Sequence, residues 1–187
     1  MYSEVKKIKT NEFDSLILAE SKRRDEFLNK IYEWTDSKNM ELLYRGTRDG
    51  MSSDAFHNKC NKKGPTITLY KNGKGYIFGV YASIDWRSCD NYGSAPDSFL
   101  FTLTNMFNFP PTKFPNINSN YSIYDYSSSG PCFGGGRDIA IDFSFNGFGF
   151  PSSYKDELGK GYLIFKEEND GNNKFDLKEI EVFKLIK

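Results

Sequence analysis

The sequence predicts a mainly β domain of the α+β class, an antiparallel β-sandwich of two sheets with short flanking helices. Aromatic residues form 17% of the chain, and aromatic side chains are enriched in strands. Roughly eight short apolar or alternating runs follow one another, separated by turns rich in Gly, Pro and Asn. Two helical patterns precede or interrupt these runs without alternating with them, which argues against parallel βαβ units.

The 187 residues suit one domain, which we predict at residues 14–187 after a polar arm at residues 1–13. From Ser15, a short apolar run leads into a helical pattern that ends near Trp34. Its apolar stripe consists of residues at three- and four-residue spacing: Phe27, Leu28, Ile31 and Trp34. On the solvated side we expect two i,i+4 ion pairs: Glu20 with Arg24 and Glu26 with Lys30.

The formal charge is zero, from 25 basic and 25 acidic residues. Such a chain has no overall field to attract nucleic acid or an anionic membrane, so neither is a favoured partner. We expect the local basic residues to be solvated, namely Lys6, Lys7, Lys9, Lys22, Arg23 and Arg24.

Cysteine usage favours a reducing compartment, because Cys60, Cys89 and Cys132 are few, odd in number and widely spaced. The N-terminus lacks the apolar region of a secretory signal, and no run reaches the ~20 apolar residues of a membrane span. We therefore expect a monomeric protein without membrane insertion, in the cytoplasm or alternatively the nucleus.

The first predicted strand begins at Leu42 and runs into a tight turn with Gly46 and Gly50. Ser52 or Ser53 is suited to cap a short helix that ends at Cys60. A hairpin follows, with strands over residues 66–70 and 76–84 joined at Asn72-Gly73, a dipeptide typical of hairpin turns.

The remaining runs predict further strands at residues 99–103, 121–126, 139–143, 161–166 and 175–185, with loops at 85–97, 105–120 and 146–154. In the last strand, Ile180 and Val182 should face one way and Glu179, Glu181 and Phe183 the other.

Three consecutive glycines, Gly134, Gly135 and Gly136, precede the strand at Ile139; we call this segment the glycine turn. A phosphate-binding loop would open a helix and end in Gly-Lys-Ser/Thr, and neither feature is present. We interpret the segment as a structural turn, fixed with the help of Asp138, which brings the strand into the core and keeps Cys132 and Asp138 near the surface.

His57 and Cys132 are the candidate catalytic residues, since His57 is the one histidine that any Cys–His pair must use. A buried structural cysteine is the competing interpretation. His57 and Cys60 lack the further ligands that zinc needs, and the loop at Asp170 lacks the glycine and glutamate positions of a calcium loop. No metal or cofactor is expected.

Five further charged residues are candidates for one of two roles. They form ion pairs that fix loops through bidentate hydrogen bonds, or they form a surface that binds a partner. They are Arg45, Arg48, Asp49, Glu179 and Glu181.

Several of these segments, in this order and spacing, resemble the TLDc domain of the oxidation-resistance family over residues 15–184. They are LLYRGTRDGMSSDAFHNKC, KGPTITLYK, GYIFGVYASIDW, SAPDSFLFTLTN, SGPCFGGGRDIAI and EIEVFKL. The family's Arg-Asp-Gly turn falls on residues 48–50, its helix histidine on His57, and its closing acidic strand on Glu179 and Glu181. Ser129 and Val80 depart from the family's usual Tyr and Gly.

The resemblance implies a β-sandwich, a role in resistance to oxidative stress and, as in several members, binding to V-type ATPase subunits and control of the assembly of that ATPase. It brings no established catalytic residue set, so we favour a non-enzymatic module while leaving enzymatic activity open. The alternatives are a cysteine-dependent oxidant scavenger or enzyme, and a stress-linked DNA-binding regulator.

Overall fold

The computed structural model describes residues 13–144 and 146–187. The predicted arm therefore lies outside the described residues except for Phe13, as do Lys6, Lys7 and Lys9. Within the described ranges the chain forms eleven strands, four α-helices and two 3-10 helices. The strands pair antiparallel, which confirms the mainly β class.

The helices are α1 Leu16–Ala19, α2 Arg24–Thr35, α3 Gly46–Asp49 and α4 Ser53–Cys60, with 3-10 helices at Ser119–Tyr121 and Gly161–Phe165. The strands are β1 Asn39–Arg45, β2 Thr66–Asn72, β3 Ile77–Ala82, β4 Asn91–Gly93, β5 Phe99–Thr102, β6 Thr112–Pro115, β7 Ile123–Asp125, β8 Cys132–Phe133, β9 Ala140–Ile141, β10 Asn146–Gly147 and β11 Leu177–Ile186.

The main sheet has six strands in the order β1-β11-β2-β3-β5-β6. The hairpin between β2 and β3 is confirmed, because Asn72 stabilises its turn: the side-chain oxygen accepts from the backbone N–H groups of Lys74 and Tyr76. The last strand, β11, lies between β1 and β2, so it is an interior strand of the sheet and pairs on both sides.

The two faces of the main sheet carry separate apolar clusters. One face contributes residues such as Phe78 and Val182 to a core that includes Ile123 and Phe133 from the three-stranded sheet β4-β7-β8. The opposite face carries Phe183 and packs against α1 and α2. The six-stranded and three-stranded sheets thus share a core, and Val182 and Phe183 face opposite ways as predicted. The strands β9 and β10 form a third, two-stranded sheet in the described residues, which the prediction of two sheets did not include.

The single predicted N-terminal helix is two helices in the structure. Phe27, Leu28 and Ile31 are buried as expected. The predicted ion pair of Glu20 with Arg24 is wrong, because the two residues do not share a helix. Glu20 is the C-cap of α1 and pairs with Lys71, whereas Arg24 begins α2.

Glu26 forms its close ion pair with Arg23, and Lys30 forms one with Glu33. The Arg23 hydrogen bond lowers the pKa of Glu26, and the charge of Lys30 adds to this effect. None of the helices in the described ranges has the length and hydropathy to cross a membrane.

Other element predictions also needed correction. The tight turn at residues 46–50 is the short helix α3. The strand predicted at 161–166 is a 3-10 helix, because Gly161 has φ 54° and its N–H donates to Asp156, which bends the chain. The strand after the glycine turn ends at Ile141, and Phe143 has φ 65°, outside the extended region.

The two predicted loops contain short strands. Residues 85–97 include β4, and residues 105–120 include β6. The strand β6 lies at the edge of the main sheet and ends at Pro115; an edge position tolerates proline because one side of the strand needs no ladder partner. Ser52 caps α4, as its side chain accepts from Ala55 N–H.

Candidate functional site

The glycine turn closes around a buried carboxylate. Gly134 has φ 86°, and a Cβ there would overlap the Asp138 side chain, so the turn needs glycine at this position. Asp138 is fully buried and accepts from the backbone N–H groups of Ser152 (2.6 Å) and Ser153 (2.9 Å). The side chain therefore ties the turn to the loop that precedes Tyr154.

Asp138 and Cys132 do not lie near the surface, which corrects the expectation from the sequence. Burial raises the pKa of Asp138 to about 6, although the backbone N–H donors oppose the rise. Burial likewise raises the pKa of the Cys132 thiol to about 12. This sulfur lies 3.3 Å from Ile141 O and 3.2 Å from Ile141 N, so it serves the pairing of two segments rather than facing a cleft.

His57 is buried in α4, and both of its ring nitrogens are engaged. Nε2 lies 3.0 Å from Tyr126 O and 2.9 Å from Ser129 O, so it carries a proton and donates to these carbonyls. Nδ1 lies 2.9 Å from the side-chain oxygen of Asn61. The ring thus links α4 to residues 126–129, and its hydrogen bonds do not join it to Cys132.

The other two thiols differ in exposure. Cys60 is buried, and burial raises the pKa of its thiol. Cys89 is exposed, and its sulfur donates to Asp125 over 3.3 Å. Partial burial and the Asp125 carboxylate together raise the pKa of Cys89, so this thiol is not activated for attack on an oxidant.

The five charged candidates divide between core and surface. Arg45, Glu179 and Glu181 are buried, so these three do not form a surface for a partner. Arg45 binds Glu181 through Nε (2.7 Å) and Asp14 through Nη2 (2.7 Å). Glu179 accepts from the N–H and hydroxyl of Thr47.

Arg48 and Asp49 form the bidentate pair that the sequence suggested. Arg48 Nε donates to Asp49 Oδ1 (3.0 Å), and Nη2 donates to Oδ2 (2.7 Å). The Asp49 carboxylate also accepts from Arg45 N–H, so it fixes the start of α3. Of the five candidates, this pair is the part that reaches solvent.

The loop at Asp170 holds a cation that the chain itself supplies. The buried ammonium of Lys166 lies 3.1 Å from Asp170 and 3.3 Å from the side-chain oxygen of Asn172, and it also donates to Lys174 O. Across residues 13–144 and 146–187, no three His, Cys, Asp or Glu side chains gather as metal ligands would.

Comparison of the sequence with known domain families gives a match over nearly its whole length. Residues 13–186 match the TLDc domain family, a span that covers nearly the whole chain. The chain belongs to the TLDc domain family. The matched span includes the Arg-Asp-Gly segment, His57, the glycine turn and the last strand, β11.

A curated relative of this TLDc domain is the MTOR-associated protein MEAK7 of Danio rerio. It is 30% identical over 77 residues, which are 41% of this chain and 17% of the relative. The match thus spans less than a fifth of the relative's length.

A partly exposed group of rings on this TLDc domain was missed by the sequence reasoning. Tyr92, Tyr121, Tyr124, Tyr126 and Arg137 form what we call the tyrosine patch. Tyr124 and Tyr126 stack with ring centroids 3.9 Å apart, and Tyr92 lies edge-on to Tyr124 (5.3 Å) and Tyr121 (5.0 Å). Arg137 lies over the Tyr124 ring at 4.9 Å.

The sequence did contain a hint of this patch. Tyr124 and Tyr126 alternate with residues of the predicted strand at 121–126, which places both on one face of that strand. The contribution of Tyr92 was hidden, because β4 lies inside a segment that the sequence indicated as a polar loop.

Proposed function

We propose that this TLDc domain is a non-enzymatic binding module that contributes to resistance against oxidative stress by binding and regulating the V-type ATPase. The observation that carries the non-enzymatic part is the engagement of both candidate catalytic groups by the fold. His57 uses both ring nitrogens in structural hydrogen bonds, and Cys132 is a buried thiol with its pKa raised to about 12.

The choice of partner rests on family membership, since binding to V-type ATPase subunits is what the TLDc resemblance implies. The name of the Danio rerio relative adds an MTOR-containing assembly as a second candidate partner. Both candidates are large protein assemblies, and both fit a domain that acts through its surface.

The direct test uses purified V-type ATPase in sealed vesicles. We expect the folded chain to bind the ATPase with micromolar or tighter affinity, about −8 kcal/mol or better, and to change the rate of ATP-driven proton uptake. A heat-unfolded sample of the same chain is the control. Lack of binding together with unchanged proton uptake overturns the proposal, and binding to purified MTOR assemblies alone redirects it.

The scavenger alternative has its own test. Peroxide consumption is measured for the wild-type chain, for Cys89→Ser, and for a variant with all three cysteines replaced by serine. Equal rates remove the alternative, because only a thiolate reacts rapidly with peroxide. A loss of consumption in Cys89→Ser would instead assign the activity to the exposed thiol and contradict a non-enzymatic role.

The DNA-binding alternative requires an affinity that falls as salt rises, because phosphate contacts release counterions. The zero formal charge counts against it. Undetectable binding to duplex DNA at low salt would end this alternative.

A further inference from the structure

The tyrosine patch occupies the outward face of the three-stranded sheet. In β7, Ile123 and Asp125 are buried, while Tyr124 between them is partly exposed on the other face. The register pairs Tyr92 of β4 directly with Tyr124, so their rings lie side by side. This face carries large rings at a position where a surface strand usually carries polar groups.

Tyr121 of the patch and one further apolar side chain, Ile117, lie beside the glycine turn. Tyr121 is 44% exposed, and a Cβ at Gly135 would lie 3.0 Å from its side chain. Ile117 is 62% exposed, and its N–H donates to Ser153 O, while the Ser153 hydroxyl accepts from Gly135 N–H. The rings and Ile117 therefore border the exposed glycines.

Arg137 supplies the positive charge of the patch. Its guanidinium lies over the Tyr124 ring, and Nη2 lies 3.3 Å from the Tyr124 hydroxyl. Among the ion pairs of the described residues, none includes Arg137. Asp90, which precedes β4, accepts hydrogen bonds from the N–H and the hydroxyl of Ser127 through its carboxylate oxygen Oδ1. The ring orients the guanidinium and leaves it available for an acidic group.

The backbone at Arg137 suggests that its side chain serves more than the fold. Arg137 has φ 56°, a conformation that costs an L residue free energy and that glycine adopts freely. Three glycines precede it, yet this position carries an arginine. Such local strain is often found where a side chain is needed for binding.

We propose that the tyrosine patch is a docking surface for an acidic segment of a partner protein. A carboxylate of that segment pairs with Arg137, and its apolar side chains cover the tyrosine rings. Tyr and Arg are the residues most enriched at such interfaces, and a guanidinium binds a carboxylate through two parallel hydrogen bonds. The inference rests on the proposed function only in requiring a protein partner; it does not require the V-type ATPase.

Charge favours this occupant over a nucleic acid strand. A strand would need several cations along its phosphates, whereas the patch presents one guanidinium on a chain of zero formal charge. The inner faces of Tyr124 and Tyr126 are also stacked on each other and are closed to a base.

The test begins with selection of random twelve-residue peptides displayed on phage, using the folded wild-type chain as bait. We expect enriched peptides to combine Asp or Glu with aliphatic or aromatic residues. Their affinity should fall about tenfold or more in Arg137→Gly, the range for loss of one charged pair. Arg137→Gly should retain or raise the melting temperature, since glycine accepts the positive φ.

Two further variants make the result specific. Arg137→Asn also tolerates this backbone conformation and should lose the peptides to a similar extent. Arg23→Ala removes an exposed arginine at the N-cap of α2 and should bind the peptides as the wild type does. If Arg137→Gly unfolds, Arg137→Asn alone decides the outcome.

Three results with peptides overturn the inference: no enriched peptides, enriched peptides without acidic residues, or equal affinity of the wild type and Arg137→Gly. Binding of a dT12 oligonucleotide that disappears in Arg137→Gly also overturns it, in favour of nucleic acid. If acidic peptides bind but the V-type ATPase does not, the ATPase proposal fails while this surface stands. If the ATPase binds Arg137→Gly normally and no peptides are enriched, this surface fails while the ATPase proposal stands.

Discussion

Two opposing effects meet at Asp138. Two backbone N–H groups favour its ionised form, and complete burial favours its neutral form. Burial prevails and raises the pKa from its ordinary value of 3.8 to about 6. At neutral pH the glycine turn is therefore held by a buried charge that has lost its hydration.

We predict that Asp138 makes stability fall as the pH rises from about 4 to about 6. In this window the folded protein retains a proton that the unfolded chain has released, so added base favours unfolding. The contribution of Asp138 is complete below its unfolded pKa and is lost as the pH passes its folded pKa. The size is on the order of 3 kcal/mol, at about 1.4 kcal/mol per pKa unit.

The measurement is urea unfolding of the wild type and Asp138→Asn between pH 3.5 and 7.5. The variant has no proton to release at this position, so subtraction cancels the other titrating groups. We expect the free energy of unfolding of the wild type, relative to the variant, to decrease with rising pH. A constant difference would mean that Asp138 has the same pKa in the folded and unfolded protein, and an increasing difference would mean that the fold lowers this pKa.

At this scale the sequence identified chemical types but not their surroundings. His57, Cys132 and Arg45 stood out as reactive or charged residues, and each is used in the interior. The partners that determine this lie far along the chain: Ser129 is 72 positions from His57, and Glu181 is 136 positions from Arg45. No local pattern reports such distant neighbours.

At the scale of elements, the Asn72 hairpin was predicted correctly, whereas the apolar run at residues 161–165 was not. The Asn72 hairpin was found because its turn is built from adjacent residues. The run Gly161–Phe165 was taken for a strand because a short apolar run has no decisive period. Its conformation depends on Asp156, whose carboxylate accepts from three nearby N–H groups.

The helix α1 depends on a charge from the last strand. Glu181 of β11 accepts from Ser15 Oγ (2.6 Å), Leu16 N–H (2.8 Å) and Arg45 Nε (2.7 Å). These bonds attach the first described element to the middle of the main sheet. A four-residue helix cannot persist alone, so this attachment determines whether α1 forms.

We predict that Glu181→Gln lowers the free energy of unfolding by about 3 kcal/mol, because it removes the buried carboxylate that pairs with Arg45 Nε and leaves the guanidinium with the exposed Asp14 carboxylate as its charged partner. The amide hydrogen of Leu18 should also exchange faster, since α1 loses its anchor. Glu33→Gln is the matched control. It breaks an exposed pair with Lys30 and should cost less than about 0.5 kcal/mol.

Chemical denaturation and hydrogen exchange measure the two effects. If Glu181→Gln costs no more than Glu33→Gln, the buried pair does not contribute as its geometry suggests. Stability could also fall while the exchange rate at Leu18 rises only as much as the lower free energy of unfolding requires. That result would mean that α1 remains attached without Glu181.

For the whole molecule, the topology joins the first and last described elements. β11 pairs with both β1 and β2, and α1 packs against the same region through Glu181. No strand of the main sheet can leave without exposing one of the two cores on its faces. Such an arrangement is expected to unfold as one cooperative unit.

The three cysteines provide a direct test of this cooperativity. Cys89 is exposed, whereas Cys60 and Cys132 are 0% and 1% exposed. Burial also keeps the two buried groups in the unreactive thiol form at pH 8. In the folded protein, we predict that the thiol reagent DTNB first labels Cys89 alone.

Cys60 and Cys132 should then react at the same slow rate, because both become accessible when the whole domain unfolds. Two double variants give the two rates separately: Cys89→Ser with Cys60→Ala leaves Cys132, and Cys89→Ser with Cys132→Ala leaves Cys60. Both variants should lack the first, fast phase. Each slow rate is compared with the rate expected from the unfolding free energy of the same variant. If one buried thiol reacts much faster than that rate while the other does not, the domain opens in parts. The thiol that reacts early then identifies which side opens first, the α4 side or the segment beside the glycine turn.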